Sequence, residues 1–188
     1  MATTATVAAV IVKNGGPITS DVYKAYYSDG TSTSEDWKKG ELLYLVAGYI
    51  KRIGTGESAA EIDTDDTGLD AAYKRFIALS DHDSSAEGKS VYVPVQEITA
   101  DTVLELQVSA SSTTAPTQAN VAQGTAYTAY MSALNVWGLN VDGSGAKGIF
   151  VVTDKDSDTK WMISDSGVAG TNGSGDKVRA TLKQALFL

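Results

Sequence analysis

Residues 41–47 have the sequence Glu-Leu-Leu-Tyr-Leu-Val-Ala, and the five positions from Leu42 to Val46 are all apolar. Side chains of a β-strand point alternately to its two faces. An apolar run without polar alternation therefore predicts a central strand that is buried on both sides. Gly48 follows as a bend or bulge, and residues 49–53 continue as a second strand segment. This stretch predicts a β protein with an internal strand.

Further strand patterns lie on both sides of this run. Residues 102–108 alternate between apolar and polar side chains, which is the period of a half-buried strand. Residues 91–95 alternate in the same way, and Pro94 predicts an edge position for that strand because proline has no N–H to donate. Additional strands are predicted at residues 5–12, 148–153, 160–164 and 177–188, with the middle two as a hairpin.

The composition favours the same fold class. The chain holds 20 Thr, 18 Ser and 18 Gly among 188 residues, and 43% of its residues are hydrophobic. Threonine favours strands, glycine and serine favour turns, and this hydrophobic content can build a core. We expect a mainly β protein, a small antiparallel β-barrel or sandwich with an N-terminal β region or arm and little helix.

The expected division of the chain has three parts. Residues 1–57 form an N-terminal β region with an extended arm, residues 58–88 an acidic connecting segment, and residues 89–188 a C-terminal barrel-like domain. Within the connecting segment, Ser58 to Glu61 fits a capping box at a helix start, and residues 69–79 fit a helix or a short buried strand. A solvated loop joining two β regions is the simplest account of the segment's charge.

Charge and residue usage exclude several function classes. Fifteen Lys and Arg against twenty-three Asp and Glu give a net charge of −8, which argues against nucleic acid and against a polybasic membrane patch. The absence of cysteine removes disulfides, thiolate zinc sites and cysteine nucleophiles. No apolar run reaches the length of a membrane-spanning helix. We expect neither a nucleic-acid nor a membrane partner.

One acidic stretch has the spacing of a calcium-binding loop. Asp154, Asp156 and Asp158 occupy its first, third and fifth positions, and Asp165 occupies its twelfth. The sixth position is Thr159, where the sharp turn of such a loop needs glycine, and the flanking segments resemble strands instead of helices. A polar hairpin tip explains the same aspartates, so we expect no metal and no cofactor, with these three aspartates as the candidate ligands if a cation is bound.

Other polar motifs have structural explanations. The acidic run from Asp63 to Gly68 lacks a closing metal ligand and suits Asx turns. His82 stands between Asp81 and Asp83 without a recognisable nucleophile motif, and we expect it to be a solvated loop residue. The glycine-rich run 143–148 lacks phosphate-loop spacing and is predicted to be a turn. These motifs predict no catalytic residues and no enzyme.

The aromatic residues and the N-terminus suggest binding. Trp37, Trp137 and Trp161 either pack in the core or form a stacking platform for sugars. The N-terminal segment bears no charged side chain up to Val12, and we expect it to add as a strand to a sheet edge of a sister subunit or of a partner protein. The residues assigned to this interaction arm are Ala5, Thr6, Val7, Val10, Ile11 and Val12.

Three stretches carry a resemblance to a known family. Residues 37–45 (Trp-Lys-Lys-Gly-Glu-Leu-Leu-Tyr-Leu) are similar to the opening of small structural proteins of tailed phages. Residues 88–95 (Gly-Lys-Ser-Val-Tyr-Val-Pro-Val) and 98–105 (Ile-Thr-Ala-Asp-Thr-Val-Leu-Glu) resemble a strand pair of capsid decoration, or cement, proteins. The resemblance covers about residues 37–53 and 88–165. The Ser/Thr/Ala/Gln-rich residues 109–123 depart from the family pattern.

The resemblance implies a non-enzymatic virion protein on the capsid surface. Its partner would be the major capsid protein, which it would stabilise as a homo-oligomer, a dimer or a trimer. The alternatives are a head–tail joining or tail structural protein and, from another class, a carbohydrate-binding module that uses the tryptophans.

Overall fold

The structure, a computed structural model, describes residues 9–13, 20–25, 36–53, 61–66, 68–83, 91–109, 121–131, 137–154 and 177–187. It contains twelve strands within these ranges and one 3₁₀ helix at Gln184–Phe187. The strands are β1 (Ala9–Lys13), β2 (Ser20–Ala25), β3 (Leu42–Val46), β4 (Tyr49–Arg52), β5 (Glu61–Ile62), β6 (Arg75–Ala78), β7 (Tyr92–Ile98), β8 (Val103–Ser109), β9 (Ala126–Met131), β10 (Trp137–Ser144), β11 (Phe150–Asp154) and β12 (Lys177–Leu182). The predicted mainly β fold is confirmed.

Five strands close into a small barrel in the order β2-β4-β3-β6-β7, and β7 returns to β2. Its pairings are antiparallel except that between β2 and β4, which is parallel. Alternate residues of these strands point inward, as the strand period requires. The inner core consists of Ala25, Trp37, Leu43, Ile50, Phe76, Ala78, Val93 and Val95.

The other strands form a second sheet in the order β1-β8-β10-β9-β11-β12, with β5 paired to β9. This sheet also closes on itself, because β12 pairs with β8 as well as with β11. Leu104, Leu106 and Val108 of β8 are buried, which confirms the alternation predicted for residues 102–108. The second sheet packs its inward side chains into a larger core that it shares with the barrel.

The shared core joins the two sheets through strand β3. Leu43 points into the barrel, whereas Leu42 and Tyr44 on the opposite face belong to the shared core. Strand β6 repeats this division, with Phe76 inside the barrel and Ile77 in the shared core. The prediction that residues 41–47 contain a strand buried on both faces is confirmed. Strand β3 lies between the inner core and the shared core.

The pairings distribute the chain differently from the predicted division. The segment 58–88 contributes β6, whose four residues are buried and paired on both sides, instead of only a solvated connection. Strand β7, expected in the C-terminal domain, closes the N-terminal barrel, and β1 joins the C-terminal strands. The composition of a segment indicates how exposed that segment is. It does not indicate which strands pair, because paired strands can lie far apart in the sequence.

The expected edge position of β7 is wrong, since the strand pairs with β2 on one side and β6 on the other. Pro94 is nevertheless accommodated. Its carbonyl accepts a hydrogen bond from the Leu79 N–H at 3.1 Å, just beyond the last residue of β6. The N and O atoms of one strand residue point to the same side. The N–H that Pro94 lacks would therefore point toward the end of β6, where the pairing of β6 with β7 ends. The hydrogen bonds between β7 and β2 are not affected.

The prediction that the N-terminal arm pairs with another chain is also corrected. Residues 9–13 pair with β8 of the same chain in antiparallel register, with Ala9 opposite Leu106 and Ile11 opposite Leu104. The sheet edge that accepts the arm therefore lies within the chain, and the expectation of pairing with another chain does not hold for these residues. The arm residues Ala5, Thr6 and Val7 lie outside the described residues.

The turn between β3 and β4 departs from the bend expected at Gly48. Strands β3 and β4 are joined by only two residues, Ala47 and Gly48, and both have positive φ, 49° and 84°. Two positive φ angles define the turn type whose twist matches that of a hairpin. Alanine adopts this region at a cost because its Cβ approaches the backbone.

We predict that Ala47→Asn stabilises the protein. Asparagine tolerates a positive φ better than alanine, so the free energy of unfolding should rise by roughly 0.5–1 kcal/mol. Urea unfolding followed by circular dichroism measures the change. The control is Ala71→Asn, an exposed alanine in a turn without positive φ, which should stay within about 0.5 kcal/mol of the parent. Equal effects of the two variants would contradict the assignment of strain to Ala47.

Candidate functional site

A buried ion pair lies near one end of the inner core. Glu41, only 2% exposed, precedes β3, and its Oε2 lies 3.0 Å from Nε of Arg52 in β4. The contact is ionic, without the alignment of a hydrogen bond between these two atoms. The other carboxylate oxygen accepts a hydrogen bond of 3.0 Å from the Lys38 N–H, and an Arg52 N–H donates to the Asp36 carbonyl. The pair ties the segment before β3 to the end of β4.

Burial raises the pKa of Glu41 to about 7, although the Arg52 guanidinium and the Lys38 N–H act to lower it. The charged groups around the carboxyl also include the ammonium of Lys38 and the carboxylate of Asp81. The Lys39 backbone N–H donates to Asp81 and holds its pKa below the usual range. Glu41 is thus a carboxyl group whose protonation changes near neutral pH.

His82 is buried beside this pair instead of solvated as expected. It is 3% exposed, and its ring centroid lies 4.4 Å from that of Trp37. The backbones of the two residues exchange hydrogen bonds of 2.9 and 3.1 Å. The two rings are tilted by 40° against each other, and Trp37 belongs to the inner core of the barrel. Because Trp37 is buried, its side chain forms no surface platform for sugars.

Residues 63–66 of the acidic run form turns, as predicted. The Asp63 carboxylate accepts from the Asp65 N–H at 2.7 Å, which is an Asx turn, and Asp66 accepts from the Asp63 N–H at 2.8 Å. The ammonium of Lys147 lies 3.3 Å from Asp63 and 2.7 Å from Asp65. A side-chain cation of the chain itself therefore offsets the negative charge of this loop.

Most of the predicted calcium loop lies outside the described residues, including Asp156, Asp158 and Asp165. Asp154 is the last residue of β11. The predicted strand 160–164 and Trp161 lie outside the described ranges as well. In the parts of the chain that are described, no three His, Asp or Glu side chains are grouped to hold a metal ion. No described helix is long and apolar enough to cross a membrane.

A surface of apolar and basic side chains lies on the outside of the barrel where β2, β4 and β7 adjoin. Directly opposite strand residues project on the same face. Lys24 of β2 is opposite both Tyr49 of β4 and Tyr92 of β7, so the three side chains form one row across three strands. Val22 and Pro94 are opposite each other on the same face. We call these five residues the outer face.

The outer face is exposed although its residues are apolar. Val22 and Tyr92 are each 60% exposed and Tyr49 is 41% exposed, the large hydrophobic side chains with this property among the described residues. The ammonium of Lys24 lies 5.6 Å from the ring centroid of Tyr92, in a cation–π contact. The outward positions of β2, β4 and β7 hold Lys24 and Lys51 and no carboxylate. This face is apolar and positive on a chain of net charge −8.

Sequence reasoning missed the outer face because its residues lie on three strands that are not consecutive in the chain. Val22 and Tyr92 gave a local signal only as apolar residues within strand patterns, which is also the signal of core residues. The partners in register decide which of them are exposed.

Comparison with known proteins identifies no relative of this chain. No protein-family model, no curated protein and no solved structure matches the chain.

We predict that Glu41 makes the stability of the fold depend on pH. A carboxyl whose pKa is raised by folding binds its proton more tightly in the folded state, so stability is highest below about pH 4.5 and falls until about pH 7. The difference between these values corresponds to about 3 kcal/mol. Glu41→Gln, neutral at every pH, should remove this fall.

Urea unfolding at a series of pH values measures the effect. Glu97→Gln is the matched control, because Glu97 forms an exposed ion pair with Lys74 at 3.1 Å. The control should retain the slope of the parent between about pH 5 and 7. If Glu41→Gln retained it as well, the buried carboxyl would not be the group responsible.

Proposed function

We propose that the chain is a non-enzymatic structural protein of a tailed-phage virion, a capsid decoration protein that binds the head surface through its outer face. The observation that carries this proposal is the exposed row Tyr49–Lys24–Tyr92 on a closed barrel. Exposed aromatic side chains next to a cation are typical of the residues that dominate protein–protein interfaces. The partner is the major capsid protein.

The resemblance to decoration proteins supports the same proposal, and its motifs have defined places in the fold. Residues 37–45 include Trp37 of the inner core and most of β3. The motif at residues 98–105 contains the turn by which the chain leaves the barrel and enters the second sheet. In that turn the Thr99 N–H donates to Thr102 Oγ1 at 2.9 Å, and the Thr102 N–H donates to the Thr99 carbonyl at 3.0 Å.

The charge of the outer face defines the chemistry of its partner. The face offers two tyrosines, a valine and a proline around the ammonium of Lys24. A complementary surface presents apolar side chains around a carboxylate. We place that surface on the outside of the capsid shell, where the chain binds as a dimer or trimer. A head–tail joining or tail position is the competing location, and electron microscopy of the particle distinguishes the two.

We predict that Tyr92→Asp weakens capsid binding at least about tenfold, because it removes an exposed aromatic anchor and places a carboxylate where the partner has one. Co-sedimentation of the purified chain with capsids that lack it measures the affinity. Ala122→Asp is the control, since it adds the same charge at an exposed position before β9 of the second sheet.

Melting curves of both variants confirm that they are folded. Equal binding by Tyr92→Asp and the control would refute the assignment of the outer face. Sedimentation equilibrium without capsids separates the possible partners, because a self-association face would change the oligomeric state in Tyr92→Asp.

A further inference from the structure

Three polar side chains converge where β5, β9 and β10 meet. Thr128 of β9 and Asn140 of β10 are directly opposite each other, and both are buried. Thr128 Oγ1 donates a hydrogen bond of 2.5 Å to Glu61 Oε1 of β5. Asn140 Nδ2 donates hydrogen bonds of 3.2 Å to both Glu61 Oε1 and Thr128 Oγ1. A hydroxyl, a carboxylate and a carboxamide are thus within hydrogen-bonding distance of one another.

The three groups have complementary reactivity. A hydroxyl next to a carboxylate is a nucleophile next to its general base. The carboxamide of Asn140 is an acyl group, and its Oδ1 accepts a hydrogen bond of 3.2 Å from the Asp142 N–H. That N–H occupies the place of an oxyanion-stabilising donor. The nitrogen that would leave lies beside the same carboxylate that receives the hydroxyl proton.

The backbone nearby is shaped around this cluster. Gly143 lies against all three side chains, and a Cβ added there would overlap Thr128 Oγ1 and Glu61 Oε1 and approach Asn140 Nδ2 to 2.8 Å. Only glycine leaves room for the three groups to meet at this point. The same glycine was predicted from sequence as part of a turn, with no signal for the cluster.

We propose that Thr128 and Asn140 form a self-catalysed ester cross-link between β9 and β10. Thr128 Oγ1 attacks Cγ of Asn140 while Glu61 accepts the hydroxyl proton, and the negative charge on Oδ1 is stabilised by the Asp142 N–H. Glu61 then returns the proton to Nδ2, the C–N bond breaks, and ammonia leaves. One hydroxyl and one carboxamide become one ester and one ammonia molecule, so no oxidant, reductant or co-reactant is needed.

Proximity and product loss drive this step. The pairing of β9 and β10 holds the hydroxyl and the carboxamide next to each other, so the reaction is intramolecular and needs no encounter between separate molecules. Ammonia is released from the protein, which prevents the reverse reaction. The ester adds a covalent connection to a strand pair that is otherwise held by hydrogen bonds, independently of what the outer face binds.

Intact-mass measurement of the denatured full chain tests the proposal. We expect the parent protein to be lighter than its sequence by the mass of one ammonia molecule, and proteolytic digestion to yield a linked peptide pair containing Thr128 and Asn140. Glu61→Gln, which removes the base but preserves the shape of the side chain, should have the full mass of its sequence. Thr128→Ser, which retains a hydroxyl, should still lose ammonia.

Two results would overturn the cross-link. One is a parent protein with the full mass of its sequence and no linked peptides after prolonged incubation. The other is a loss of ammonia that persists in Thr128→Val, because Asn140 can also lose ammonia by cyclising onto the backbone, which needs no hydroxyl. Circular dichroism of each variant establishes that it is folded when its mass is compared.

Discussion

The burial of both faces of β3 is the constraint on which the fold depends. One face of the strand contributes Leu43 to the inner core, and the other contributes Leu42 and Tyr44 to the shared core. Tyr44 packs so closely under Gly68 that a Cβ there would overlap its ring, and Gly68 has a φ of +98°. The loop before β6 therefore covers the outward face of β3 only because a glycine is present. The barrel and the second sheet share one wall instead of being linked by a flexible connection.

Arg75 shows how a charge is accommodated in that wall. It begins β6 and is 1% exposed, and its guanidinium donates hydrogen bonds of 2.7 Å to the carbonyls of Leu69 and Asp70. The guanidinium carbon also lies 5.0 Å from the ring centroid of Phe187 in the C-terminal 3₁₀ helix. A buried charge is tolerated when hydrogen bonds replace its hydration. Arg75 thereby ties the loop before β6 to the end of the chain.

Polar clusters that contain buried side chains connect neighbouring strands at a fixed register. Glu41 and Arg52 connect the segment before β3 with β4, and the cluster of Glu61, Thr128 and Asn140 connects β5 with β9 and β10. A shift of one residue in either pairing would leave a charge or an amide buried without its partner, which costs more than a lost apolar contact. These groups favour one register over its neighbours.

The class of fold and the local structure of several segments follow from patterns of neighbouring residues. The apolar run at residues 42–46 and the alternation at residues 102–108 depend on neighbouring residues, so their patterns are visible without a structure. The turn predicted at residues 143–148 is shorter than expected, because Gly143 and Ser144 still belong to β10. Residues 69–79 stayed open between helix and strand. In the structure these residues form turns followed by strand β6. The strand forms because residues 75–78 pair with β3 on one side and with β7 on the other. Local pattern does not include those partners.

The meeting of side chains is visible only in the folded chain. His82, in a polar stretch, is buried because Trp37, distant in sequence, packs against it, and β7 is internal despite Pro94 because β6 ends opposite the missing donor. Tyr49 and Tyr92 become one surface through their shared partner Lys24, and Thr128 and Asn140 meet through the register of β9 and β10. Period and turn chemistry are properties of adjacent residues. Strand pairing and burial are set by the packing of the whole chain. The strands could therefore be predicted from the sequence, whereas the outer face and the polar clusters became visible only in the structure.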